Sequence, residues 1–128
     1  MSYHFTTTVD KPFAEAIDYV TERLKEKGFG VLTTIDVQKA MKEKIDEDIL
    51  PYTILGSCNP KMAFKALQSE NKIGTMLPCN VVVQETADGK IEVSAVDPLA
   101  SMQAIQNPGL AGIATEVQGM LKDVIAGL

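Results

Sequence analysis

The chain has 128 residues, a formal net charge of −5 at pH 7, 45% hydrophobic and 5% aromatic residues. This length predicts one domain over residues 1–128, and the acidic balance with a single arginine, Arg23, argues against nucleic acid as a partner. No stretch reaches the roughly 20 apolar residues that cross a bilayer, and no secretory signal is recognisable, so we predict a cytoplasmic protein with no membrane partner.

The first elements are a strand and an amphipathic helix. Residues 3–9 alternate in polarity and are rich in β-formers, which predicts a strand. Asp10 as the cap, followed by Pro12, predicts the start of a helix that ends at Gly28. Its apolar side chains fall at helical spacing: Phe13, Ile17, Val20 and Leu24.

A second strand–helix pair follows. Residues 29–35 predict a strand, and Asp36 is placed to cap a helix over about 37–47. Four apolar residues share one face of that helix: Val37, Ala40, Met41 and Ile45. We interpret its alternating charges as a solvated face rather than a ligand patch.

The middle of the chain predicts a strand, a helix and a hairpin. A strand over 51–56 leads to a helix that starts at Asn59-Pro60. The expected buried stripe of this helix comprises Met62, Ala63, Ala66 and Leu67. Strands over 79–85 and 90–96 are joined through Asp88-Gly89, which predicts an antiparallel hairpin.

Two helices close the chain. Asp97-Pro98 predicts the start of a short helix to about Ile105, and Asn107-Pro108-Gly109 breaks it before a long amphipathic helix. Five strands with intervening helices predict an α+β fold, with a single mostly antiparallel sheet of about five strands and helices packed on one face.

Two cysteines stand in nearly matching settings, residues 56–60 and residues 77–81. Each Cys is followed by Asn, has a Pro within two residues, and lies where a strand-like run meets a turn or a helix start. Backbone N–H groups at the start of a helix stabilise a thiolate or a bound anion. If the two strands are neighbours, the Cys-Asn pairs converge at one end of the sheet. We therefore predict a ligand-binding site at Cys58, Asn59, Cys79, Asn80 and Asp97.

Other interpretations of these residues stay open. Buried Cys packs as a small hydrophobe, and Asn-Pro and Asp-Pro are common helix starts, so each residue has a structural alternative. A Cys-Cys-His-Asp metal set would need the sole histidine, His4, and lacks the paired spacing of zinc sites, so we predict no metal. Cys-x-x-Cys, nucleophile-elbow and nucleotide-binding motifs are absent. The sequence identifies no catalytic residue and no cofactor.

The chain resembles the domain-of-unknown-function family 302. The residues that carry the resemblance are Ile54-Leu55-Gly56-Ser57-Cys58-Asn59-Pro60, Ala63, Leu67, Leu77-Pro78-Cys79-Asn80-Val81-Val82-Val83, Asp88-Gly89 and Val96-Asp97-Pro98. The resemblance implies a compact α+β fold grouped with TATA-binding-protein-like folds, and a homodimer. It implies no activity, because the family is uncharacterised.

Three hypotheses follow. The leading one is a cytoplasmic homodimer that binds a small anionic or soft ligand at the Cys-Asn end of the sheet. The second is a thiol-dependent sulfur-transfer or redox enzyme, with Cys58 as the nucleophile and Cys79 as the resolving thiol. The third is a homodimeric assembly module whose cysteines only pack.

Overall fold

A five-stranded sheet and five helices make up the computed structural model, which describes residues 2–128. The strands are β1 (His4–Val9), β2 (Gly30–Asp36), β3 (Tyr52–Cys58), β4 (Cys79–Glu85) and β5 (Ile91–Val96). The helices are α1 (Phe13–Glu26), α2 (Val37–Ile45), α3 (Pro60–Ser69), α4 (Pro98–Ser101) and α5 (Pro108–Ala126), with a 3₁₀ turn at Ile73–Met76.

The sheet is open and has the strand order β1-β5-β4-β3-β2. Every neighbouring pair is antiparallel, and β4 and β5 form the predicted hairpin. The predicted α+β class, with about five strands in one mostly antiparallel sheet, is confirmed. The grouping with TATA-binding-protein-like folds stays a prediction.

The core lies between one face of the sheet and the helices α1 and α5. Alternate residues of the three central strands point into it and are almost fully buried: Leu55, Val81, Val83, Val93 and Ala95. Val20 and Leu24 of α1 and Leu121 of α5 are completely buried against this face. Burial of these aliphatic side chains supplies the main stabilisation of the sheet.

The predicted caps are confirmed at three helices. Side-chain oxygens of Asp36, Asn59 and Asp97 accept backbone N–H bonds at the starts of α2, α3 and α4. The cap expected of Asp10 is wrong. Helix α1 begins at Phe13, so its N-cap is Pro12, and Asp10 lies two residues too early to reach the free N–H groups.

Two helices differ from their predicted faces or lengths. Leu67 is 45% exposed, because α3 contacts its neighbours through Met62 and Ala66 instead. Helix α4 ends at Ser101 rather than near Ile105. Among the described residues, no helix is long and apolar enough to cross a membrane.

Helix α2 departs most from expectation. It follows β2 directly, and its apolar side chains do form one stripe in sequence, but it contains no buried residue. It contacts mainly β3. The amphipathic pattern therefore predicted the helix correctly but did not predict core packing for it.

Candidate functional site

Pairing of β3 with β4 brings the two cysteines to the same end of the sheet. Cys58 is the last residue of β3, and Cys79 is the first residue of β4. Ser57 lies directly opposite Cys79 in the antiparallel register, so Cys58 is only one residue further along its strand. The buried Ser57 hydroxyl donates a hydrogen bond of 2.7 Å to the carbonyl oxygen of Cys79. The strands that carry Cys58 and Cys79 are therefore neighbours, as the predicted convergence of the two cysteines required.

Both cysteines are free, and their surroundings favour the neutral thiol. Burial, and to a lesser extent the neighbouring charge of Cys58, raise the pKa of Cys79 to about 11. Burial also raises the pKa of Cys58, which is half-buried. The effect of the α3 N-terminus, which the sequence suggested would favour a thiolate, is outweighed by desolvation. Both thiols are therefore protonated near pH 7.

An apolar cavity of about 30 Å³ lies beside the two cysteines. Helices α3 and α5 and the end of the sheet enclose it, with Phe29 and Val117 among its lining side chains. Four sulfur-bearing side chains also line it: Cys58, Cys79, Met62 and Met102. Among the lining residues that the structure describes, none is Lys, Arg, Asp or Glu. A cavity of this volume accommodates a ligand about as large as one water molecule or an ion.

Asn59 borders the cavity, but its amide is used by the fold. Its Oδ1 accepts the N–H of Met62 at 3.3 Å, and its Nδ2 donates to the carbonyl oxygen of Lys27 at 3.5 Å. The Asn59 carbonyl also accepts the N–H of Ala63, and Pro60 has no N–H. The start of α3 therefore offers few of the free donors that the sequence had suggested for a ligand.

Asn80 and Asp97 lie away from this cavity. Strand alternation turns Cys79 and Val81 inward, and places exposed Asn80 on the open face of the sheet. Asp97 caps α4, accepting the N–H of Leu99 at 3.0 Å, and it also accepts from the Gln118 amide at 3.1 Å. The structure therefore brings together Cys58, Asn59 and Cys79, but not all five predicted site residues.

His4 is also separate from the cysteines. It lies on the edge strand β1, which β5 separates from β4, and its Nδ1 shares a hydrogen bond with the Thr6 hydroxyl. Over residues 2–128, no group of three or more His, Cys, Asp or Glu side chains is arranged to hold a metal ion. The Cys-Cys-His-Asp arrangement considered for the sequence does not assemble.

Sequence reasoning missed the methionine contribution to the cavity. Met62 was expected only as part of a buried stripe, and Met102, in the turn after α4, carried no motif. Only the composition could have indicated these residues. The chain has six Met and no Trp, which favours Met side chains as core residues. Met102 lines the same cavity as the cysteines because α4 packs against α5.

Comparisons with known proteins agree on one family. The sequence model described as "Domain of unknown function DUF302" matches residues 5–128. The crystal structure of an uncharacterized conserved DUF302 protein from Bacillus stearothermophilus is similar, with a TM-score of 0.91 and 29% sequence identity over 98% of each chain. No curated protein matches. The chain belongs to the DUF302 family, whose function is unknown.

Proposed function

We propose that this chain binds a small, soft ligand in the cavity beside Cys58 and Cys79. The observation that carries the proposal is the convergence of two thiols and two thioethers on one apolar cavity, with Met62 and Met102 as the thioethers. Thiol and thioether sulfur selects soft guests such as Cu(I) over hard cations. The volume of about 30 Å³ favours an ion over a metabolite. The proposal thus departs from the sequence prediction of no metal, which considered a Cys-Cys-His-Asp ligand set and no methionine.

The same surroundings disfavour the anionic ligand considered from the sequence. The described lining residues include no basic side chain, and the Asn59 amide is bonded to the backbone. A buried anion without a charged partner or free donors is costly. Asn80 and Asp97 do not line the cavity and the Asn59 amide is bonded to the backbone, so the proposed ligand set omits these three residues. It keeps Cys58 and Cys79 and adds Met62 and Met102.

Thermal unfolding with Cu(I) under anaerobic conditions tests this function. At free Cu(I) of about 100 times Kd, binding adds about 2.7 kcal/mol to the free energy of unfolding. For a chain of this size, Tm then rises by roughly 10 °C. The double variant Cys58→Ala/Cys79→Ala should lose this rise, and Asn80→Ala should keep it. An unchanged Tm in the wild type, or an equal rise in the double variant, would refute the proposal.

A thiol-dependent enzyme is the second candidate, and the closeness of Cys58 and Cys79 in the β3–β4 register favours it. It needs a reactive thiolate in the free protein, whereas burial raises the pKa of both thiols. Cu(I) binding does not need a thiolate beforehand, because the ion displaces the thiol protons to solvent as it binds. Iodoacetamide labelling of the folded protein at neutral pH separates the two functions. The enzyme hypothesis requires rapid labelling of Cys58, and we expect labelling slower than that of a free thiol.

We also propose that the protein is a cytoplasmic homodimer. Free cysteines are compatible with a reducing compartment. Exposed apolar side chains on β2 and α2 support assembly with a further chain. Fractionation of cells and the mass of the purified protein in solution test these two statements separately.

A further inference from the structure

A second and larger pocket lies between residues 97–107 and helix α5, and is here called the Asp97 pocket. Its volume of about 420 Å³ lies within the range of small-molecule sites, whereas the cavity beside the cysteines is far smaller. Most of its walls are apolar, from side chains such as Leu99, Ile105 and Ala111. Met102 lines both spaces, so the two are neighbours that differ in size and in chemistry. The Cu(I) proposal leaves the larger pocket without a role.

Asp97 is the only charged residue that lines this pocket. The lining contains no Lys, Arg or His, and among residues 2–128 the Asp97 carboxylate forms no salt bridge. A carboxylate among apolar side chains attracts a cation more strongly than a carboxylate in open water, because the local dielectric constant is lower. The charge that complements the Asp97 pocket is therefore positive.

The hydrogen bonds of Asp97 orient its carboxylate and leave part of it free. Oδ1 accepts the N–H of Leu99 at 3.0 Å, and the Gln118 amide donates to Oδ1 at 3.1 Å and to Oδ2 at 3.2 Å. An ionised carboxylate has about four acceptor sites, so these three contacts leave about one site for a further donor. Both donors are neutral, so they fix the position of the carboxylate without compensating its charge.

Capping of α4 does not account for the charge of Asp97. Helices α3 and α5 also begin at a proline, and the neutral amides of Asn59 and Asn107 cap them. Asn and Asp are about equally good N-caps, so an Asn would cap α4 as well as Asp97 does. Capping therefore explains the position of the Asp97 side chain but not its charge.

We propose that the Asp97 pocket binds a small amine, whose protonated nitrogen bonds to Asp97 and whose hydrocarbon part packs on Leu99, Ile105 and Ala111. A primary amine is protonated near neutral pH, and it donates a charge-assisted hydrogen bond that is stronger than a neutral one. An anion would be repelled by Asp97, and a neutral apolar ligand would leave the carboxylate unpaired. This site is separate from the Cu(I) site and does not depend on it.

Hexylamine is the probe that tests this proposal, with hexanol as its neutral counterpart of the same length. Each is titrated into the isotope-labelled full chain without added metal, and the amide NMR shifts are followed. We expect saturable shifts centred on residues 97–107 and on the Gln118 side-chain amide. The affinity for hexylamine should be about tenfold or more above that for hexanol, because only the amine pairs with the carboxylate.

A pair of variants isolates the charge of Asp97. Asp97→Asn keeps a capping side chain and should lower the affinity for hexylamine to that for hexanol. The matched control, Glu116→Gln, removes one exposed carboxylate from α5 and should leave both affinities unchanged. Hexylamine binding that survives Asp97→Asn, or equal affinities of the wild type for the two probes, would show that Asp97 does not recognise a cation and would overturn the proposal.

The remaining outcomes are also decisive. Absence of saturable shifts with hexylamine overturns the proposal, and so do equal losses in Asp97→Asn and Glu116→Gln, which would assign binding to the acidic net charge of the protein. If Asp97→Asn does not fold, Ala111→Phe fills the pocket from an exposed position on α5. This variant should lose binding of both probes, and hexylamine binding that it retains would place the amine elsewhere.

Discussion

Alkaline pH should destabilise the protein through Cys79, and Cys79→Ala should remove that sensitivity. Burial, with a smaller contribution from the charge of Cys58, raises the pKa of Cys79 to about 11 from an ordinary value of 9.0. Because the unfolded chain releases this proton near pH 9 and the folded chain near pH 11, the unfolded state is favoured as pH rises through that interval. The contribution of the neutral Cys79 thiol to the free energy of unfolding is complete below about pH 9 and is lost as the pH rises to about 11. Between about pH 8 and pH 10.5, the linked loss is about 2 kcal/mol.

Urea unfolding at a series of pH values measures this loss. Alkaline pH also affects interactions elsewhere in the protein, so the informative quantity is the difference in the free energy of unfolding between wild type and Cys79→Ala. We expect the free energy of unfolding of the wild type to fall by about 2 kcal/mol more than that of the variant. Cys58→Ala should reduce the pH sensitivity by less than Cys79→Ala does, because Cys58 is only half-buried and its charge is the smaller cause of the raised pKa of Cys79. Parallel pH profiles for wild type and Cys79→Ala would refute the assignment of a buried, neutral thiol.

Three further substitutions, one of them a control, test the packing and hydrogen bonding of β3 next to Cys58. Gly56→Ala should destabilise the fold by roughly 1–3 kcal/mol, because the added Cβ would lie 2.5 Å from Cγ2 of Thr33. Gly112→Ala is the control and should be neutral or stabilising, because nothing lies within 4 Å of the added Cβ. Equal effects of the two alanines in chemical denaturation would contradict the close approach at Gly56. Ser57→Ala should lower the free energy of unfolding by roughly 1–3 kcal/mol, because it removes the buried hydrogen bond to the carbonyl oxygen of Cys79. An unchanged midpoint of chemical unfolding would show that this hydrogen bond does not stabilise the fold.

The elements of the fold were predictable where local chemistry determines them. The β4–β5 hairpin followed from β-branched runs around Asp88-Gly89, and the capping roles of Asp36 and Asn59 followed from side chains placed before helical patterns. Strand order could not be derived in this way, because it depends on non-local pairing. The exposed state of α2 was equally inaccessible, since an amphipathic stripe shows that a helix has an apolar face but not what covers it.

The candidate site was predicted in part. The matching Cys-Asn settings identified two strand ends that do lie together. Grouping Asn59 with Cys58 was correct, since both line the cavity. Grouping Asn80 with Cys79 was misleading, because consecutive strand residues point to opposite faces, and Asn80 lies on the face away from the cavity that Cys79 lines. Met102 reaches the cavity only through the packing of α4 against α5, which no sequence motif encodes.

Copper K-edge absorption spectroscopy of the anaerobic Cu(I)-loaded protein tests the proposed soft-ligand cavity most directly, since it reports which atoms surround the bound ion. The account predicts one Cu(I) per chain in a coordination shell of sulfur alone, from Cys58 and Cys79 with thioether sulfur. It also predicts that Cys58→Ala/Cys79→Ala abolishes this signal. A shell dominated by nitrogen or oxygen, or a sulfur shell that survives in the double variant, would contradict it.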